Sequence, residues 1–142
     1  MGRTVSMVLA GLALSGATLA CTTDGARSPR ATLTVVSLPH DPEQGSAWFG
    51  WTVRLNGDRH QQSSYRLIIS NDPYAIDTIT SGGVDPNAWD SGVVHSAQYN
   101  DLRPSGFRYE PGTTYYWSVR VRDEQGRDSD WSARDQWTAP RR

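Results

Sequence analysis

The side chains best able to do acid–base chemistry are the carboxylates Asp85, Asp90, Asp101, Glu110, Asp123, Glu124, Asp128, Asp130 and Asp135. Glycoside hydrolysis is the reaction such residues could serve. It needs two carboxyl groups facing one bond at a set separation, at least one with a raised pKa. Each of these residues falls in a turn or loop among polar neighbours, where a carboxyl is solvated and keeps its ordinary pKa. They therefore read as turn residues, and no catalytic pair is expected. Asp123 to Asp130 (DEQGRDSD) superficially suggests a calcium loop but lacks the alternating ligands and terminal bidentate Glu of an EF-hand. A hairpin turn accounts for it better. His40, His60 and His95 are scattered without metal-ligand spacing. No serine sits in a nucleophile elbow and no phosphate loop is present. The sequence thus implies no catalytic residue, no metal site and no cofactor.

The aromatic residues carry the second kind of chemistry, contact and stacking. Six Trp and six Tyr stand against two Phe. Trp89-Asp90-Ser91-Gly92 reads as a tryptophan over an open edge of the core, followed by a side-chain-capped turn. The alternative reading of Trp89 is a platform for a pyranose ring. Trp48 and Tyr116 fall on the polar phase of their strands, so with Trp89 they are the candidate contacts for a glycan or a partner domain. Ser129-Asp130-Trp131-Ser132 resembles half of the tryptophan–serine motif of cytokine-receptor domains. Arg120 and Arg122 point outward from the neighbouring strand, so a cation–π stack on Trp131 is expected, each contact contributing roughly 0.5–1 kcal/mol. All 14 basic residues are Arg. That bias is read first as a property of the coding sequence, with selection for stacking and bidentate hydrogen bonding as the alternative. A formal net charge of −1 and 37% hydrophobic content exclude both a global basic field for nucleic acid and disorder from charge excess.

These side chains need strands to hold them. From Ala31 onward the hydrophobic period is two. Leu33 to Leu38 forms a first edge strand ended by Pro39, and Ala47, Phe49, Trp51, Val53 and Leu55 alternate with polar positions up to Asn56-Gly57. Tyr65, Leu67 and Ile69 form the inward set of a third strand, stopped by Asn71-Asp72-Pro73. Tyr115, Trp117, Val119 and Val121 form that of another, and a last strand runs from about Ser132 to Thr138. Pro73 to Ile79 is at most a helical turn. The expected fold is an all-β, antiparallel β-sandwich of about seven strands over residues 31–139, with 140–142 as a tail. A single cysteine leaves no intrachain disulfide.

Residues 1–20 read as a signal peptide: Arg3, an apolar run from Val5 to Leu14, then small residues up to Ala20. Cys21 after Leu19-Ala20 resembles a bacterial lipobox, although Thr18 and Leu19 depart from its preferred residues. Acyl chains on Cys21, at about 0.8 kcal/mol per buried methylene, would anchor the protein to a membrane. Residues 21–30 are a polar tether. The expected location is therefore outside the cytoplasmic membrane or on the cell surface, with a secreted protein as the alternative.

Two resemblances narrow the fold. Pro111-Gly112-Thr113-Thr114-Tyr115 followed by Trp117, Val119 and Val121 resembles the approach to strand F of fibronectin type III domains, with Trp51 in the place of their core tryptophan. That resemblance implies that the Tyr115 hydroxyl returns to nearby backbone. The series Tyr65 to Ser70, Trp89 to Val94, Ser96, Thr114 to Val121, Asp123, Gly126 and Ser129 to Ser132 resembles, more narrowly, the N-terminal fibronectin/Ig-like domain of bacterial α-L-rhamnosidases. Those enzymes carry their acidic catalytic residues in a helical barrel, and no position here corresponds to it. The resemblance implies a non-catalytic surface module for domain packing, scaffolding or carbohydrate and protein binding. A free-standing lipoprotein adhesin or carbohydrate-binding module, and a truncated piece of the hydrolase, are the alternatives.

Overall fold

The computed structural model describes residues 30–33, 47–54 and 61–141. The expected signal peptide, Cys21, most of the expected tether, His40, His60, residues 34–38 and the turn expected at Asn56-Gly57 lie outside the described residues. Among the described residues, six strands and one helix follow in the order β1 (Arg30–Leu33), β2 (Trp51–Arg54), β3 (Gln62–Ser70), α1 (Pro73–Thr80), β4 (Trp89–Asp90), β5 (Thr114–Asp123) and β6 (Asp135–Thr138).

The strands form two antiparallel sheets, β1-β2 and β4-β3-β5-β6. A further segment joins the smaller sheet: Phe49 and Leu102 exchange backbone hydrogen bonds of 2.9 and 3.0 Å, and the Trp51 amide donates to Tyr99 at 2.8 Å. The core lies between these layers. Phe49 and Trp51 come from one side and Leu67, Ile69, Trp117, Val119 and Val121 from the other, all buried. Period-two alternation places them there, and aromatic edges hold them. Phe49 packs T-shaped on Trp117 at 5.0 Å between centroids, and Trp51 on Tyr65 at 5.1 Å. The Trp51 indole N–H donates to Gln62 Oε1, whose own amide donates to the Ser96 and Gln98 carbonyls, so this buried polar group is fully partnered. The Tyr115 hydroxyl accepts from the Glu110 amide at 2.9 Å, fixing the chain's corner before β5.

The helix is a correction. Where the sequence offered at most a turn over Pro73–Ile79, α1 makes two turns. Asp72 caps it by accepting from the Tyr74 amide at 2.9 Å, and Pro73 occupies its first turn. Ala75, Ile76 and Ile79 are buried, and the two isoleucines pack on Ile68. A helix this short draws its stability from burial rather than propensity. Ile68 is its cause: it breaks the alternation of β3, making that strand apolar on both faces. The last strand is also shorter than expected: Ser132 donates its backbone amide to Val119, but its side-chain oxygen, not a backbone carbonyl, accepts from the Val119 amide in return.

An arginine–tryptophan face as the candidate functional site

The outer face of the larger sheet is set by the register of β3 and β5. Ser64 lies opposite Arg122, Arg66 opposite Arg120, Ile68 opposite Ser118 and Ser70 opposite Tyr116. Helix α1 covers the Ile68 and Tyr116 end. Trp131 lies beside it, positioned by the two serines that flank it. The Ser132 amide donates to the Val119 carbonyl at 2.9 Å, while its hydroxyl oxygen accepts from the Val119 amide at 3.0 Å. Ser129 repeats the pattern with Val121 at 2.8 and 3.0 Å. The chain therefore stays bonded to β5 beyond β6 and carries the Trp131 ring onto the sheet.

Arg66 and Arg120 both lie over that ring, at 5.6 and 5.2 Å from its centroid. Two like charges directly opposite on adjacent strands repel, and the ring's negative face offsets part of that cost. Arg122 corrects the expectation that it would join the stack. It forms a two-pronged pair with Asp128, at 2.7 and 3.0 Å, because Asp128 lies directly across the hairpin in an isolated bridge. Arg66 likewise grips both oxygens of Asp90, its Nε at 3.0 and 3.1 Å. Among the described residues Arg120 has the Trp131 ring but no carboxylate in ion-pair range.

Three of the nine carboxylates, Asp90, Asp123 and Asp128, are not ordinary solvated turn residues, which is a second correction. Asp123 has a fully buried side chain and accepts from the Gln125 and Arg127 amides and from Arg127 Nε, at 2.9, 2.9 and 2.7 Å. Burial alone would raise its pKa; those donors and the guanidinium charge outweigh it and hold the carboxyl below the usual range. At Asp90 burial is again outweighed, by Arg66 and the Gly92 amide. Asp128 is lowered chiefly by its hydrogen bond from Arg122. Arg66 and Arg122 are raised by the same bonds. Carboxyls fixed in the ionised form are the opposite of what a general acid requires. Among the described residues no group of three or more His, Cys, Asp or Glu gathers as a metal would demand. No helix there is long and apolar enough to cross a membrane.

The three candidate contact aromatics stand in different settings. Trp48 is half-buried under Arg103, whose guanidinium lies 3.9 Å from the ring centroid, and its buried indole N–H has no partner among the described residues. Trp89 packs against the core with Phe107, 5.9 Å away. Tyr116 packs against the α1 cluster, with Arg134 at 5.6 Å. Arg134 also pairs with Asp77, tying this end of the face to α1. Sequence reasoning missed Arg66, Arg103, Arg134 and the paired role of Asp128. Cross-strand register brings Arg66 to Trp131, and no local motif encodes it.

The model of the Rha78A-like, N-terminal immunoglobulin domain matches residues 42–140. The chain belongs to this family. Residues 42–140 are thus its Ig-like domain, and the described strands are those of that fold. An α-L-rhamnosidase of Formosa agariphila is 28% identical over 100 residues, which are 70% of this chain and 10% of that protein. One of Streptomyces avermitilis is 32% identical over 87 residues, 61% of this chain and 8% of that protein. The crystal structure of the Streptomyces avermitilis enzyme complexed with L-rhamnose superimposes with a TM-score of 0.60 at 26% identity, over 80% of this chain and 10% of the other. The structure of α-L-rhamnosidase from Dictyoglumus thermophilum shares the fold, with a TM-score of 0.59 at 23% identity over 80% of this chain and 12% of the other. The chain spans about a tenth of the length of the curated relatives it matches.

The Asp123 geometry fixes a pH dependence. A carboxyl with a depressed folded pKa stabilises the fold above its unfolded value, about 3.9, and that stability is lost as pH falls through the folded pKa. Asp123→Asn should cost about 3 kcal/mol at pH 7, since it removes the buried partner of Arg127. The variant should also lose less stability than the original between pH 4 and pH 2. Urea denaturation across that range measures both, and equal acid sensitivity in the two proteins would contradict the assignment.

Proposed function

We propose that this chain is a non-catalytic accessory module of the α-L-rhamnosidase type, working by packing against or scaffolding a partner domain. The observation that carries the reading is the state of its carboxylates. Asp90, Asp123 and Asp128 are each bound to a guanidinium and lowered in pKa. Family membership agrees with it, since the matched portion is a domain about a tenth the size of the named hydrolases. The purified chain should release no detectable nitrophenol from p-nitrophenyl α-L-rhamnopyranoside. Turnover that survives repurification and disappears on substitution of Asp90 or Asp128 would overturn the reading.

One observation favours a glycan-binding module instead. The buried Trp48 indole N–H lacks an acceptor among the described residues, and a movement of the side chains around it would offer a sugar hydroxyl this donor beside Arg103. Trp89 and Tyr116 support it less, because each packs into a cluster of the domain itself.

Export and anchoring through Cys21 belong to the same proposal, supported by the apolar run from Val5 to Leu14 and the lone cysteine after it. In a bacterial host, radiolabelled palmitate should enter the full chain and remain with the membrane fraction. Cys21→Ser should abolish both; label retained in that variant would exclude the anchor.

A further inference from the structure

We infer that the cleft between Arg66, Arg120 and Arg122 is a docking point for a carboxylate side chain on a partner protein surface. The inference rests on the accessory-module reading and names the chemistry of its partner. Helix α1 covers one end of the outer sheet face; at the other end Arg66, Arg120 and Arg122 lie half-buried beside the buried Ser64, with Trp131 and Asp128 against them. Three guanidiniums line this end against two carboxylates, Asp90 and Asp128. The two carboxylates are taken up two-pronged by Arg66 and Arg122, which leaves Arg120 with the Trp131 ring and a longer-range attraction to Asp128 but no carboxylate in ion-pair range among the described residues. The surplus is positive and lies between two fixed ion pairs, so its complement is an anion.

The size and rim of the cleft select the kind of anion. Its volume is about 20 Å³, room for one polar atom of water size. One oxygen of a carboxylate enters such a space while the rest of the group stays at its mouth; a pyranose ring does not enter. A sugar would also need a free aromatic face, and the Trp131 ring already holds Arg66 and Arg120. Val93, 54% exposed, borders the cleft and offers apolar contact to the stem of a Glu or Asp on the facing surface. Arg120 is held in place by Trp131, which Ser129 and Ser132 hold in turn, so little side-chain freedom is lost on docking.

The test follows arginine Nε–H resonances of the ¹⁵N-labelled chain during titration with N-acetylated, amidated hexaglutamate, with hexaglutamine and an oligogalacturonate as comparison probes. Hexaglutamate should move the Arg120 resonance and hexaglutamine should not. Arg120→Gln should weaken hexaglutamate binding roughly tenfold, the loss of one charge-assisted bond. Arg103→Gln, which removes another ring-stacked arginine, should leave it within about twofold. An unmoved Arg120 resonance, equal losses in the two variants, or binding of the uronate without the peptide would overturn the inference. If Arg120→Gln does not fold, the Arg120 resonance of the unmutated chain decides alone. Rhamnoside hydrolysis by the chain would overturn the accessory reading and leave this binding result intact, so the two failures are distinct.

Discussion

Strand β5 lies inside the sheet with its inner face fully buried, so its backbone must be bonded along both edges. An amide left without a partner there costs on the order of 1–3 kcal/mol. β3 satisfies one edge along nearly the whole length of β5. β6 satisfies only the first part of the other, from Thr114 to Trp117. Ser132 and Ser129 complete it by offering a hydroxyl oxygen where a regular strand would offer a carbonyl. Because a side chain does the accepting, the backbone between them is free to turn. That freedom places Trp131 over the sheet, where Arg66 and Arg120 meet its ring.

The inner face was legible in the sequence because its physics is local. Tyr115, Trp117, Val119 and Val121 alternate, and a strand with that pattern has one face to bury. The corner tyrosine, too, was recoverable from a short run around Pro111. The outer face was not legible in the same way. Ile68 carries a trace of it, since three consecutive apolar residues from Leu67 to Ile69 ask for cover on both sides of β3. What covers them is a helix of eight residues with only three buried positions, too short to stand out in the chain by periodicity. The partner of Arg122 was misread for a related reason. The tryptophan–serine resemblance and the outward phase of Arg122 favoured Trp131, whereas pairing across the hairpin delivers Asp128 to a range of 2.7 Å.

The arginine-only composition acquires a physical use in this arrangement, whatever its origin in the gene. Four arginines lie over aromatic rings, Arg66, Arg103, Arg120 and Arg134. Arg66 and Arg122 also engage a carboxylate with two prongs. Lysine's point charge does neither as well. The surface that results is charged, with four arginines set against aromatic rings and Asp77, Asp90, Asp123 and Asp128 each paired with an arginine. Those are properties of a surface made to be packed against. They fit a domain that accounts for about a tenth of the enzymes it resembles.

The dependence of β5 on its two serines is open to direct measurement by native-state hydrogen exchange. In a Ser129→Ala, Ser132→Ala double variant, the Val119 and Val121 amides should exchange about tenfold faster for each bond lost, with the other β5 amides much less affected. Exchange at Val119 and Val121 as slow as in the unmutated chain would contradict the account.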